Sequence, residues 1–206
     1  MRDRDLVRLY WPVALRPAFD ALFAIDDALG EVVASASQPA LGAIKLAWWR
    51  EALERLDHGP PPAEPRLQAV AAQLLPRGIS GASLAAAAAG WATLLDESPD
   101  CELVEQRGIA LFGIGARLLG ADDPELDDAG RLFAVIDVAR RRGDDHLRAS
   151  ARGLAAHRFA REVRPLTALA ALAARDRRRG TGEPEGTPGR ALTLLRHRLS
   201  GWLPRH

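Results

Sequence analysis

Apolar residues recur along this chain at spacings of three and four, and no segment shows the strict alternation of a strand. Leu22, Ile25, Leu29 and Val32 make one such stripe, and Pro17 suits the start of a helix running to about Ser35, because its missing donor is harmless there. A second helix is expected from Pro39 to about Asp57, with Ser37 as its cap. Its apolar residues form two stripes, Leu41, Ile44 and Trp48 on one side and Leu46, Trp49, Leu53 and Leu56 on the other. That pattern predicts a central helix covered on two sides. The following run HGPPPAEP cannot continue a helix and reads as an extended connection.

Further helices are expected at about 65–75, 81–97, 101–119, 124–142, 144–156 and 163–178, with Pro76, Pro99, Gly120 and Gly143 marking breaks. The run RGTGEPEGTPG, 179–189, has the composition of a flexible loop, and a short basic helix is expected after it, from Ala191 to Leu203. The expected architecture is all-α: one helical domain over 1–178, a loop over 179–189 and a C-terminal helix over 190–206. No internal repeat is evident. The run Ala85 to Ala89 reads as a helix that lets its neighbours approach closely.

Composition sharpens this picture. Hydrophobic residues make up 48% of the 206 but aromatics only 5%, so the interior must be built mainly of Ala and Leu, which favours helices packed closely on helices. Lys and Arg total 28 against 27 acidic residues, so no global field attracts nucleic acid, and any electrostatic function must be local. Cys101 is the single cysteine and cannot form an internal disulfide. No basic-then-apolar signal segment is visible after Met1, which makes a reducing cytoplasm the expected address. No apolar run approaches the roughly 18 residues of a spanning helix, so membrane contact would be peripheral.

Four stretches carry a resemblance. LRPAFDALFAIDDALGEVV (15–33) and PALGAIKLAWWREALERLDHGPPPAEPRL (39–67) resemble the first aspartate-motif helix, the Trp-Arg helix and the Pro-rich turn of the squalene/phytoene synthase family. ELVEQRGIALFGIGARLLG (102–120) is similar to that family's Gly-containing middle helix, and GRLFAVIDVARRRGDD (130–145) to its second aspartate-rich helix. The likeness spans most of residues 5–175 and is most specific at WWREAL. It implies a helical bundle of the isoprenoid (terpenoid) synthase fold, shortened at the C-terminus. Family members condense two prenyl diphosphates head to head, and carboxylates on facing helices hold magnesium against the leaving pyrophosphate.

Set against that pattern, the anchor aspartates of the first motif fall at Gly30 and Ala34, leaving Glu31 as the matched carboxylate. In the second motif Asp137 takes the place of the usual Asn, Arg140 is kept, Arg141 replaces an Asp, and Asp144 and Asp145 complete the run. The resemblance with these losses implies a non-catalytic member, a pseudoenzyme that needs no cofactor and uses its helical cup to bind a protein partner or a prenyl-type apolar ligand. A branch of the superfamily resembling respiratory complex I assembly factors has eroded motifs of the same kind. The alternative is an active prenyltransferase of squalene, carotenoid or hopanoid synthesis, with Glu31, Asp137, Asp144 and Asp145 as a reduced magnesium set.

The residues also carry their own readings. Lys45, Arg50, Arg140 and Arg141 would form a metal-free anion or diphosphate pocket if the second helix faces the helix of residues 124–142; otherwise the arginine run simply complements a helix C-terminus. Glu54 is the local partner expected for Arg50. Asp20, Asp27 and Glu31 lie within about 40° of one another at roughly 100° per residue, on a solvated or cavity-rim face, whereas Asp26 points elsewhere. Trp48 and Trp49 are expected in the core. His58, His146, His157, His197 and His206 show no metal-ligand spacing and are expected at the surface, and Cys101 reads as an inert helix-start residue.

Overall fold

The computed structural model describes residues 2–203, within which the chain is all-helical apart from one two-residue ladder. Eleven helices follow in order among these residues: α1 (Asp3–Arg8), α2 (Arg16–Ala34), α3 (Pro39–Arg55), α4 (Pro65–Gln73), α5 (Gly81–Ala85), α6 (Ala87–Ala92), α7 (Cys101–Leu119), α8 (Leu126–Arg142), α9 (Asp145–Ser150), α10 (Arg164–Arg179) and α11 (Pro188–Ser200). Proline opens α3, α4 and α11 at the first turn, where its lost donor costs nothing, and Asp100 and Asp144 cap α7 and α9 through their carboxylates. Left-handed glycines close α7, α8 and α11 at Gly120, Gly143 and Gly201.

The antiparallel pair α7 and α8 forms the spine. Its helices meet at Gly108 and Gly130, where a Cβ on Gly108 would lie 2.0 Å from the Gly130 carbonyl oxygen. Only glycine permits that approach, and it brings Arg107, the neighbour of Gly108, within reach of Asp137 two turns along α8. α10 packs on α8, α6 on α7, and α2 closes the bundle over α4 and α6.

Several expectations need correction. The 81–97 segment is not one helix but α5, α6 and a 3₁₀ turn at Thr93–Leu95. The 144–156 helix stops at Ser150, because the chain turns extended at Ala151 to bury Ala151 and Leu154, while Arg177 takes the freed Ala151 carbonyl at 2.8 Å. α1 was not expected at all. Strands were not expected either, yet His157–Arg158 pairs antiparallel with Trp202–Leu203. Two residues are too few to show an alternation.

α3 is covered on one side only. Leu46, Trp49, Leu53 and Leu56 are buried, but Leu41, Ile44 and Trp48 face outward, with Trp48 43% exposed against 7% for Trp49. His197 is likewise not at the surface: it is buried on α11, and its Nε2 lies 2.8 Å from the Thr167 hydroxyl. His157 is half-buried, 2.8 Å from Asp123. His58 and His146 are exposed as expected, Cys101 starts α7 at the surface, and His206 lies outside the described residues.

Candidate functional site

α2 and α8 do bring carboxylates to a common centre, but not the expected set. Asp26 and Asp27 from α2 meet Asp137 from α8, and three arginines bind them. Arg107 of α7 grips Asp26 bidentately, Nε to Oδ1 at 2.7 Å and Nη2 to Oδ2 at 2.5 Å, and Nη2 also donates to Asp137 at 2.8 Å. The Arg107 and Asp26 side chains are both 0% exposed. Trp91 of α6 donates its indole N–H to Asp26 at 2.9 Å, and the Arg107 guanidinium lies over the same ring, 4.1 Å from its centroid. Nearer solvent, Arg141 bridges Asp137 (3.1 Å) and Asp27 (2.8 Å), while Arg4 from α1 pairs with Asp27 from the other side.

Charge balances in this group, three arginines against three aspartates. Burial opposes ionisation of both Arg107 and Asp137, yet their mutual attraction prevails. The Arg107 pKa is held above its ordinary value by Asp26 and Asp137, and that of Asp137 below its own by Arg107, Arg141 and Arg4. Both groups are therefore charged at neutral pH, as a hydrogen-bonded buried pair requires.

A cavity of about 440 Å³ opens above the group. Arg4, Arg140 and Arg141 line it together with Asp27, Asp137 and the loop between α10 and α11. Arg140 donates to the carbonyls of Thr181 (3.0 Å) and Glu183 (2.6 Å), and Arg175 takes the Glu183 carboxylate at 2.9 Å. The loop is thus better fastened than its Gly-, Pro- and Glu-rich composition predicts, because arginines supply the partners its backbone needs. Below it, Arg190 of α11 is buried against Asp3 and Asp176, which docks the last helix onto α1 and α10.

The expected site residues are dispersed. Arg140 and Arg141 share the cavity, but Lys45 is exposed elsewhere, and Arg50 lies in a different groove, with Glu54 at 3.9 Å. Glu31 is tied to Arg66 at 2.9 Å, Asp144 caps α9, and Asp145 pairs with Arg148 at 2.8 Å, so only Asp137 of the proposed metal set reaches the centre. Asp27 sits on the cavity rim as expected. Asp26 is the main correction: it is the buried heart of the group. It lies about 40° from Leu22, at roughly 100° per residue, and so falls on the apolar stripe of α2. A carboxylate there demands a buried cation, and Arg107, on the apolar face of α7 with Val104 and Leu111, was the matching signal.

These residues do not suit magnesium, which needs oxygen ligands free of competing cations in an octahedral shell. Each central carboxylate already holds a guanidinium. At Gly30, where the resemblance would put an anchor aspartate, a Cβ would lie 2.9 Å from the Trp91 ring and 3.3 Å from Arg141 Nη1, so the indole fills the room a carboxylate would take. Among the described residues no group of three or more His, Cys, Asp or Glu is placed to hold a metal ion. Compared with protein-family models, curated proteins and solved structures, the chain matches none.

Proposed function

We propose that this protein is a non-catalytic relative of the squalene/phytoene synthases, a helical scaffold that binds a protein partner rather than turning over prenyl diphosphates. The observation that carries this reading is the arginine–aspartate group. Guanidinium groups take up the carboxylates that α2 and α8 present to each other, and in a bundle of the isoprenoid synthase kind that leaves nothing to drive a metal-dependent departure of pyrophosphate. A small space of about 80 Å³ beside the group is lined by Phe133, Ile136, Leu169 and Leu172 but also by charged side chains, among them Arg4, Asp137, Arg140 and Asp176. Ligand sites for small molecules start at roughly 300 Å³. The cavity above the group, about 440 Å³, reaches that size but is walled mainly by charged and polar residues rather than the apolar lining a prenyl chain needs, which favours a protein partner.

The surface offers a place for one. Leu41, Ile44 and Trp48 project from α3, next to an alanine-walled groove of about 390 Å³ between α3 and α5–α6. Small residues let a partner helix approach closely, the mode in which an amphipathic helix lays its apolar face in a groove.

The test is incubation of the purified protein with farnesyl or geranylgeranyl diphosphate and magnesium, with and without a nicotinamide reductant. No pyrophosphate release above the buffer rate is expected. Sustained release that is lost in Asp137→Asn would overturn this reading and restore the prenyltransferase.

A further inference from the structure

α11 is built inside out. Its buried residues are Arg190, Leu194 and His197, while Leu192, Leu195 and Leu199 point to solvent, with Leu199 72% exposed. At about 100° per residue these three leucines fall within roughly 60° of one another, a single ridge that Trp202 continues past the helix end. Arg164 clamps the ridge in place by donating to the carbonyls of Phe159, Arg198 and Leu199.

Arginines flank the ridge on both sides. One cleft, of about 700 Å³, runs from Leu199 and Trp202 to Arg178, Arg179 and Arg196, and the other, of about 690 Å³, runs from Leu195 and Leu199 to Arg161 and Arg198. Arg158 lies beside Trp202 across the short ladder. None of these six arginines has a carboxylate partner among the described residues, whereas Arg107, Arg141, Arg175 and Arg190 all do. The chain's net charge is only +1, so this face concentrates positive charge that is balanced elsewhere.

We infer that α11 and its flanking arginines form a docking surface for an anionic lipid bilayer. The leucine ridge and Trp202 enter the boundary between headgroups and acyl chains, and the guanidinium groups meet lipid phosphates at headgroup level. Charge argues against a second copy: a two-fold contact over this ridge would set arginine against arginine. A bilayer also accepts a projecting ridge without needing a matching groove. No described helix is long and apolar enough to cross a membrane, so the helix lies in the plane of the interface. This surface is separate from the arginine–aspartate group and does not depend on whether the bundle is catalytic.

Flotation of the full chain with vesicles tests it, using phosphatidylcholine alone and phosphatidylcholine with added phosphatidylglycerol. Binding is expected only to the anionic vesicles. It should weaken about a hundredfold in the Arg178→Ala, Arg196→Ala, Arg198→Ala triple variant and at least about tenfold in Leu195→Ser, Leu199→Ser. All of these side chains except that of Arg178 lie on the outer face of α11, and unchanged thermal melts will show that the variants fold. Equal binding to both vesicles, or to neither, overturns the proposal. So does binding that inorganic phosphate abolishes while the leucine changes leave it intact, which would mark a free-phosphate site. Light scattering covers the remaining case: a dimer lost in the leucine variant, without vesicle binding, would assign the ridge to a second copy instead.

Discussion

Replacing Arg107 by Met removes the one cation that Asp26 touches while keeping most of the side chain's volume. Asp26 would keep the Trp91 indole N–H as a donor, but its charge would stay fully buried and unpaired, and Asp137 would fall back on Arg141. Breaking a buried pair from one side costs about 3–5 kcal/mol, a large share of the roughly 5–15 kcal/mol that holds a domain together. For a chain of this size each kcal/mol moves the midpoint by about 2–4 °C, so Arg107→Met should melt at least about 6 °C below wild type. The pair itself is a different quantity. Its desolvation cost offsets much of its attraction, so adding Asp26→Leu to Arg107→Met should recover most of the loss. Thermal and urea melts of both single variants and the double variant complete the cycle. A single variant that melts within a degree of wild type, or a double variant no better than the singles, would show that the group does not hold the bundle centre.

Trp49→Ala should cost about 3–5 kcal/mol, since the ring is buried between α3 and the core, while Trp48→Ala should leave urea midpoints nearly unchanged. Gly30→Asp should destabilise the fold and not create a magnesium site, because the added atoms meet the Trp91 ring; calorimetric titration that finds metal binding in a well-folded variant would contradict the geometry. Burial pushes the His197 pKa down from 6.5 to about 4, so the unfolded chain takes up this proton before the folded one does. Stability tied to His197 is therefore complete above about pH 6.5 and declines by about 3 kcal/mol as the pH falls to 4, a slope that should flatten in His197→Gln when melts are compared across that range.

The helices were legible because their determinants are local. The stripes of α2, α7, α8 and α10 repeat at 3.6 residues, prolines and glycines mark their ends, and no tertiary contact was needed to read either signal. The rim position of Asp27, the pairing of Arg50 with Glu54 and the place of Cys101 at the start of a helix also follow from helical geometry alone. What tertiary structure decided is which faces are covered and which charges meet. Both stripes of α3 look alike in sequence, but the bundle has helices on only one side of it, so Trp49 is buried and Trp48 is not. Asp26 and Arg107 are each a charge on an apolar face, although Asp26 was expected only to point away from Asp20, Asp27 and Glu31, and no role was expected for Arg107. Their partnership was not legible, because 81 residues separate them and only the packing of α2 beside α7 closes that distance. A pairing of that kind belongs to the packing of two helices, and the pattern within one helix carries no record of it.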